Sequence, residues 1–342
     1  MPGISAEEIR LKLKSFSELR DAIVAERDAA SGQLPRHQWW RYHYYEFPYL
    51  IGSRSERVAE RFRDVFINLS ELSSDGKIGV RPDFREDDSL TQKFTHLLEE
   101  WNSRGGVPSN VLEDARAPIL KYFENGDPIA VKFFEGFKSP ATPFLVKYSK
   151  REFLEPMLHA GKIRISPASY YSHSKHIASV KDTETRRSFV IPTFRERLQG
   201  KTSIEFNGKE IRFYDDDLVI TLNGPDYYMF CLCDYAYYRL PTDFDSDAAL
   251  VIRDPDLFTQ RVVSTFLAAN PDWEPFAGKV TYYDPYIDYG KISIPEMSKH
   301  FGYSYQREYR IAFSATKKTK GPLQPRYITI GPMADYAELL TV

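Results

Sequence analysis

The chain is 342 residues long, more than one average domain needs, and carries 46 basic against 48 acidic side chains. A balance this close argues against non-specific binding to a phosphate backbone, which needs a clear basic excess. No apolar run reaches membrane-spanning length and the first residues lack a basic-then-apolar signal pattern. The only cysteines, Cys231 and Cys233, lie two apart on one strand face, badly placed to bridge each other. A cytoplasmic protein with free thiols and no membrane partner is the expectation.

Ser5 followed by Glu8 spells a capping box, and Ile9, Leu13, Phe16, Leu19 and Ile23 continue at helical spacing, so a first helix is expected to about Ala30. Residues 37–49, rich in Trp, Tyr and His, follow neither the helix nor the strand period and read as a segment packed between helices. Val58, Phe62, Val65, Phe66 and Leu69 mark a second helix. Leu90, Phe94, Leu97, Leu98 and Trp101 mark a third, and a fourth starts at Pro108-Ser109 and meets Pro118, where a break or kink is expected. Residues 1–138 read as a helical module.

Composition changes at the Pro-rich stretch 139–143. Beyond it, 144–148 reads as a strand, 149–161 as a short helix stopped by glycine, and 162–167 as a second strand. A polar stretch with His173, His176, Asp182 and Glu184 follows, then a hairpin around 206–209. Further strands are expected at 227–233, 249–252, 278–283, 305–313 and 326–330, with a helix at 256–269 opened by Asp254-Pro255. Residues 139–342 read as a mixed-sheet domain, and the whole chain as α+β.

Several familiar sites are missing from the sequence: a P-loop, a Gly-x-Gly-x-x-Gly turn and a Gly-x-Ser-x-Gly elbow. His173 and His176 lack a third ligand at the usual spacing, and Cys231-Leu232-Cys233 lacks a second cysteine pair, so no metal is expected. The strongest chemical pattern lies in 303–313. At period two, Tyr303, Tyr305, Tyr309, Ile311 and Phe313 fall on one face with Arg307, and Ser304, Gln306, Glu308 and Arg310 on the other. An amide and a carboxylate two residues apart on a strand project the same way and can touch one small ligand. Lys147 and Tyr148 on the first strand, Ser166 to Tyr171 after the second, and Asp182 and Glu184 in the next loop complete the candidate set.

Residues 144–171 resemble the opening of the ADP-ribosyltransferase fold, a strand, a helix ending in Met-Leu-x-x-Gly and a second strand, and Gln306-x-Glu308 is similar to the late strand on which that superfamily carries its catalytic glutamate. A closer likeness is to a bacterial family of unknown function. That family opens with Lys-Tyr, continues with Asp-Pro-x-Glu, and closes with Glu-x-Glu-Trp-Arg and then Ile-x-x-Gly-Pro. The matching residues here are Lys147-Tyr148, Asp182-Thr183-Glu184, Gln306-Arg307-Glu308-Tyr309-Arg310 and Ile328 to Pro332. The likeness covers about 144–340 and leaves the helical module unaccounted for. It departs from the pattern at Lys147, where transferases of this fold usually place Arg or His, and at Tyr170-Tyr171-Ser172-His173, where the family has an aromatic-Asn-Asp loop.

The resemblance implies NAD as co-substrate, with ADP-ribose transferred to an unknown protein or nucleic-acid acceptor or NAD hydrolysed, in a bacterial toxin or phage-defence setting. On that reading Glu308 is the catalytic carboxylate, Gln306 orients the acceptor, and Lys147 contacts a ribose hydroxyl or the pyrophosphate. Tyr170 or Tyr171 stacks on nicotinamide, while Tyr148, Ser166, Asp182, Glu184 and Arg310 complete the binding set. The helical module would serve a regulatory partner or an oligomer contact. Two other classes remain open: a non-catalytic binding module on the same fold, and a nucleic-acid enzyme using Asp182, Glu184 and Glu308 with Mg2+.

Overall fold

The computed structural model describes residues 4–341 apart from 125, 127, 173–182, 207, 214, 215 and 320, so His173, His176 and Asp182 lie outside the described residues. Among the described residues five α-helices lie before residue 121: α1 Ala6–Ala29, α2 Arg36–Glu46, α3 Ser55–Leu69, α4 Asp88–Ser103 and α5 Ser109–Leu120. The capping box forms as expected. Ser5 Oγ accepts from the Glu8 amide at 3.2 Å and Glu8 Oε2 from the Ser5 amide at 2.8 Å. The aperiodic stretch at 37–49 proves to be mostly helix α2. Its aromatic side chains surround it on all sides, with Tyr44 and Tyr45 in the core, so no single apolar stripe announces it. Pro118 sits in the last turn of α5, which tightens into a 3-10 turn at Lys121–Phe123.

Eight strands form the main sheet: β1 Leu145–Ser149, β2 Lys162–Pro167, β3 Tyr228–Cys233, β4 Ala248–Ile252, β5 Trp273–Lys279, β6 Glu308–Ala315, β7 Arg326–Thr329 and β8 Ala337–Thr341. Their spatial order is β5-β6-β3-β1-β4-β8, with β2 branching from β3 and carrying β7, and every pairing is antiparallel. The fold is therefore α+β. One face is covered by α6 (Arg151–Ala160) and α7 (Pro255–Ala269), whose Leu154, Met157, Phe258, Val262 and Phe266 pack on Leu145, Phe230, Ile311 and Phe313. Asp254 caps α7 by accepting from the Leu257 amide at 2.9 Å.

Gly161 ends α6 in the left-handed region at φ 66°, and a Cβ there would lie 2.1 Å from the Gly331 carbonyl oxygen. Only glycine lets the turn after α6 lie directly against 330–331, where the Ile330 amide donates to the Gly161 carbonyl at 3.0 Å. Thus the Gly-Pro motif near the C-terminus holds the opening strand-helix-strand unit together.

The opposite sheet face meets the N-terminal helices. Phe194 and Phe301 complete the core formed by Ile9, Phe16, Phe62, Val65 and Trp101. Leu72, from the short hairpin Ser70–Leu72/Ile78–Val80, packs with Val146, Tyr148 and Tyr305. Side chains from both parts of the chain thus share cores across the composition change at 139–143.

Two strand expectations are corrected. The stretch 278–283 is divided between β5 and a separate strand, Thr281–Tyr283, which pairs in parallel with Ser298–His300. The stretch 303–313 is not one strand either: Phe301–Gln306 is a 3-10 turn ended by Arg307 in the left-handed region at φ 43°, and β6 starts only at Glu308.

Candidate functional site

The sheet forks at β3. At one end β3 pairs with β2 through Ser166↔Met229 and Pro167↔Tyr228; at the other it meets β1 only at Val146↔Cys233. Among the described residues Phe230, Cys231 and Leu232 therefore have no register partner on that edge, and a fork of this kind opens backbone polar groups to a ligand or a side chain. A cleft of about 360 Å³ lies there, lined among others by Tyr148, Tyr171, Cys231, Lys299, Gln306 and Glu308.

Glu308 enters this cleft as the first residue of β6, while Gln306 enters from the preceding turn. The two meet because Arg307 turns the chain between them, and not because they alternate along one strand. Arg307 itself is drawn to Asp234, 2.8 Å from Nε to Oδ1. Behind the cleft lies a buried ionic cluster. Arg310 Nε donates to Glu308 Oε1 at 2.6 Å, and Arg310 Nη2 to Glu184 Oε1 at 3.0 Å. Lys299 Nζ donates to Glu308 Oε2 at 3.0 Å and to Gln306 Oε1 at 3.1 Å, and lies 3.4 Å from Glu184 Oε1. Tyr227 OH accepts from Arg310 Nη1 at 3.0 Å, and Tyr282 OH accepts from the Glu308 amide at 2.8 Å. Arg310 is 0 % exposed and Glu308 4 %.

Among the described residues two cations face two carboxylates, a balance that permits their burial. Burial alone would raise the Glu308 carboxyl, but Arg310 and then Lys299 overcome it, with help from hydrogen bonds of Arg310 and Cys231, and hold the group well below the usual carboxylate range. Glu184 follows the same logic: burial raises it, and Arg310 and Lys299 lower it further than that. Arg310 is held well above its ordinary value, burial being outweighed by Glu184 and Glu308. Burial also pushes up the Tyr171 hydroxyl and the Cys231 and Cys233 thiols, leaving them neutral hydrogen-bonding groups around an ionised glutamate.

The structure brings together Glu308, Gln306, Glu184, Tyr171, Tyr148 and Lys147 around one cleft, with Arg310 directly behind. Lys147 is placed differently from the others. Its ammonium donates to the Cys231 carbonyl at 2.8 Å and sits 4.8 Å over the Phe230 ring, so it ties β1 to the unpaired edge of β3. Ser166 is buried in the β2–β3 pairing and hydrogen-bonds Tyr171. Tyr170 turns to Arg164, whose guanidinium carbon lies 4.4 Å from the ring centroid, and meets Tyr171 edge-on. Sequence reasoning missed Lys299, Tyr227 and Tyr282, and it set Cys231 aside as a mere thiol. Lys299 lies on a strand of three residues, too short to show a period.

No family model, curated protein or solved structure matches this chain. Among the described residues no group of three or more His, Cys, Asp or Glu side chains is placed to hold a metal, and no helix is long and apolar enough to cross a membrane. Glu184 and Glu308, the described carboxylates of the metal-dependent alternative, face Arg310 and Lys299.

Proposed function

We propose that the chain transfers ADP-ribose from NAD to a macromolecule, or hydrolyses NAD, as the ADP-ribosyltransferases that it resembles over about 144–340 do. One observation carries this reading: an ionised Glu308 at the start of β6 lines a cleft at the fork of the sheet, beside Gln306 and Tyr171. At about 360 Å³ the cleft falls near the lower end of the usual range for small-ligand pockets, roughly 300–1,000 Å³, which suits a planar base with its sugar.

In the reaction the bond between the nicotinamide nitrogen and ribose C1′ breaks, and its electron pair leaves with nicotinamide. Positive charge builds on the sugar. An acceptor oxygen or water then forms the new C1′–O bond and releases its proton to solvent. Bond cleavage moves the positive charge from the pyridinium ring of NAD onto the sugar, and a carboxylate beside the ribose stabilises it there more than it stabilises the uncharged ribose of the bound substrate. Glu308 supplies it: Arg310 and Lys299 take one lone-pair direction on each oxygen and the Cys231 thiol a third, and of the carboxylate's about four sites one is left for the sugar. Gln306 is held through its carbonyl oxygen by Lys299, which steadies its amide for orienting the acceptor. Tyr171 offers a ring face to nicotinamide. Lys147 and Arg310 act by holding the fork and the glutamate.

The test is release of nicotinamide from NAD by the purified chain, alone and with cell lysate as acceptor source, measured by chromatography. Release that disappears in Glu308→Gln supports the reading. No release under either condition, or release unaffected by that substitution, overturns it.

A further inference from the structure

A second and larger cavity, about 710 Å³, lies on the other side of the wall behind Glu308, between α3 and the strand pair that carries Lys299. Neighbouring residues divide between the two cavities. Glu184, Lys299 and Gln306 line the first, and Thr183, His300 and Tyr305 the second. The wall is thus about one residue thick, and Gln306 Nε2 donates across it to Tyr305 OH at 3.3 Å.

We propose that this second cavity is a binding site for a phosphorylated nucleoside. Its mouth carries Arg63 and Arg186, both exposed and without an ion pair among the described residues, together with Lys121. Lys121 pairs with Asp243 at 3.1 Å, but Asp243 is already held by Arg239 at 2.8 Å and by Tyr122 OH at 2.8 Å, so the ammonium adds positive charge that Asp243 does not cancel alone. Among the described lining residues Asp64 is the other acid, and burial pushes its carboxyl up to about 7, which lowers the negative charge facing the cations. Tyr283, which is buried, and the half-buried Tyr303 and His300 bring rings to the same lining. Guanidinium groups bind phosphate in a bidentate fork, and aromatic faces take a base by stacking. Neither feature alone would define a ligand; cations at the mouth and rings in the lining select a molecule with a charged end and a planar end. The site does not depend on the transfer reaction proposed for the first cleft.

Calorimetric titration of the full chain, without NAD, tests this with three probes: AMP, adenosine, and a 5′-phosphorylated tetradeoxynucleotide. Expected are binding of AMP, at least about tenfold weaker binding of adenosine, and a similar loss for AMP in Arg63→Glu and Arg186→Glu, with Arg186→Lys restoring part of it. Melting temperature, read alongside, is expected to stay unchanged in both charge reversals because the side chains are exposed. Tighter binding of the tetranucleotide than of AMP identifies a nucleic-acid end as the occupant, and equal binding a free nucleotide. The proposal falls if AMP and adenosine bind alike, if neither AMP nor the tetranucleotide binds, or if binding survives both charge reversals. Because NAD is left out, failure here leaves the nicotinamide test untouched, and failure there leaves this one standing.

Discussion

Two buried ionic clusters in this molecule use the same ingredients to different ends. In the first, Arg61 forms a two-pronged pair with Asp284, at 2.9 and 2.6 Å, and its guanidinium is walled by the rings of Tyr49, Tyr286 and Phe301 at 5.0 to 5.4 Å. In the second, Arg310 and Lys299 share Glu184 and Glu308 at the back of a cleft. The Arg61 pair joins α3 to the segment after Thr281–Tyr283, and ring faces surround its cation, so its consequence is cohesion between helices and sheet. The Glu308 cluster leaves one carboxylate on a cavity wall. Charge that is neutralised from behind and open in front can act on a ligand; charge paired with a carboxylate and enclosed by ring faces acts only on the fold.

The largest effect expected from this contrast is on stability. Asp284→Ala leaves the Arg61 guanidinium buried without its counter-ion, and loss of one partner of a buried pair costs about 3–5 kcal/mol. Denaturant unfolding should show that loss, and the double change Arg61→Met with Asp284→Leu should recover much of it. A loss below about 1 kcal/mol would mean water reaches the pair. Asp284 also sets an acid limit. Burial raises its carboxyl, but Arg61 draws it down to about 2, so the pair's contribution is complete above the unfolded value near 3.8 and fades as pH falls through about 2.

Next in size is Glu308→Gln, for which the proposed reaction predicts at least a hundredfold loss of nicotinamide release, ~2.7 kcal/mol of transition-state stabilisation. The sequence pattern alone suggests that folding would hardly notice this change. The cluster argues otherwise: Lys299 and Arg310 would be left to share Glu184, and a stability loss of about 1–3 kcal/mol should accompany the change. Activity must therefore be read per folded molecule at a temperature well below the transition. Full activity per folded molecule would reduce Glu308 to the structural role of Asp284. Gln306→Ala should do less, lowering transfer to an acceptor while hydrolysis by water persists, since its amide touches Lys299 and Tyr305 and carries no charge of its own. Equal loss of both reactions would place Gln306 with the glutamate.

The contrast also marks where sequence reading succeeds. The amphipathic helices α1, α3 and α4, the strand-helix-strand unit at 145–167 and α7 with its Asp254 cap were legible because period and capping are local properties. Helix α2 was not, since aromatic side chains on every side erase the stripe. Gln306 and Glu308 were found for an incorrect reason: no alternation of residue types signals that Arg307 would turn to φ 43° and start the strand one residue later. Lys299 and the Arg61–Asp284 pair were invisible. Each joins segments whose proximity depends on sheet order, and non-local pairing leaves no mark on a short stretch of chain.

The remaining effect comes from Asp64, and its sign sets it apart from both clusters. Its carboxylate packs against Gly302, where a Cβ would lie 2.9 Å from Oδ1, and burial pushes its carboxyl up to about 7 despite the attraction of Arg63 and Arg61, with Glu60 and Asp284 adding to the rise. A carboxyl that keeps its proton in the fold and loses it in the unfolded chain binds more protons when folded, so stability falls as pH rises from about 4 to about 7 and levels off above. Asp284, Glu308 and Glu184 all act the other way, favouring the fold once the pH is above their unfolded values. Asp64→Asn should therefore raise stability only slightly at pH 4.5 and several-fold more at pH 8, measured as the shift in urea midpoint against the unaltered chain. A midpoint shift of the same size at both pH values would show that Asp64 is ionised in the fold and that Arg63, on the same helix, is its partner and not a free cation at the mouth of the second cavity.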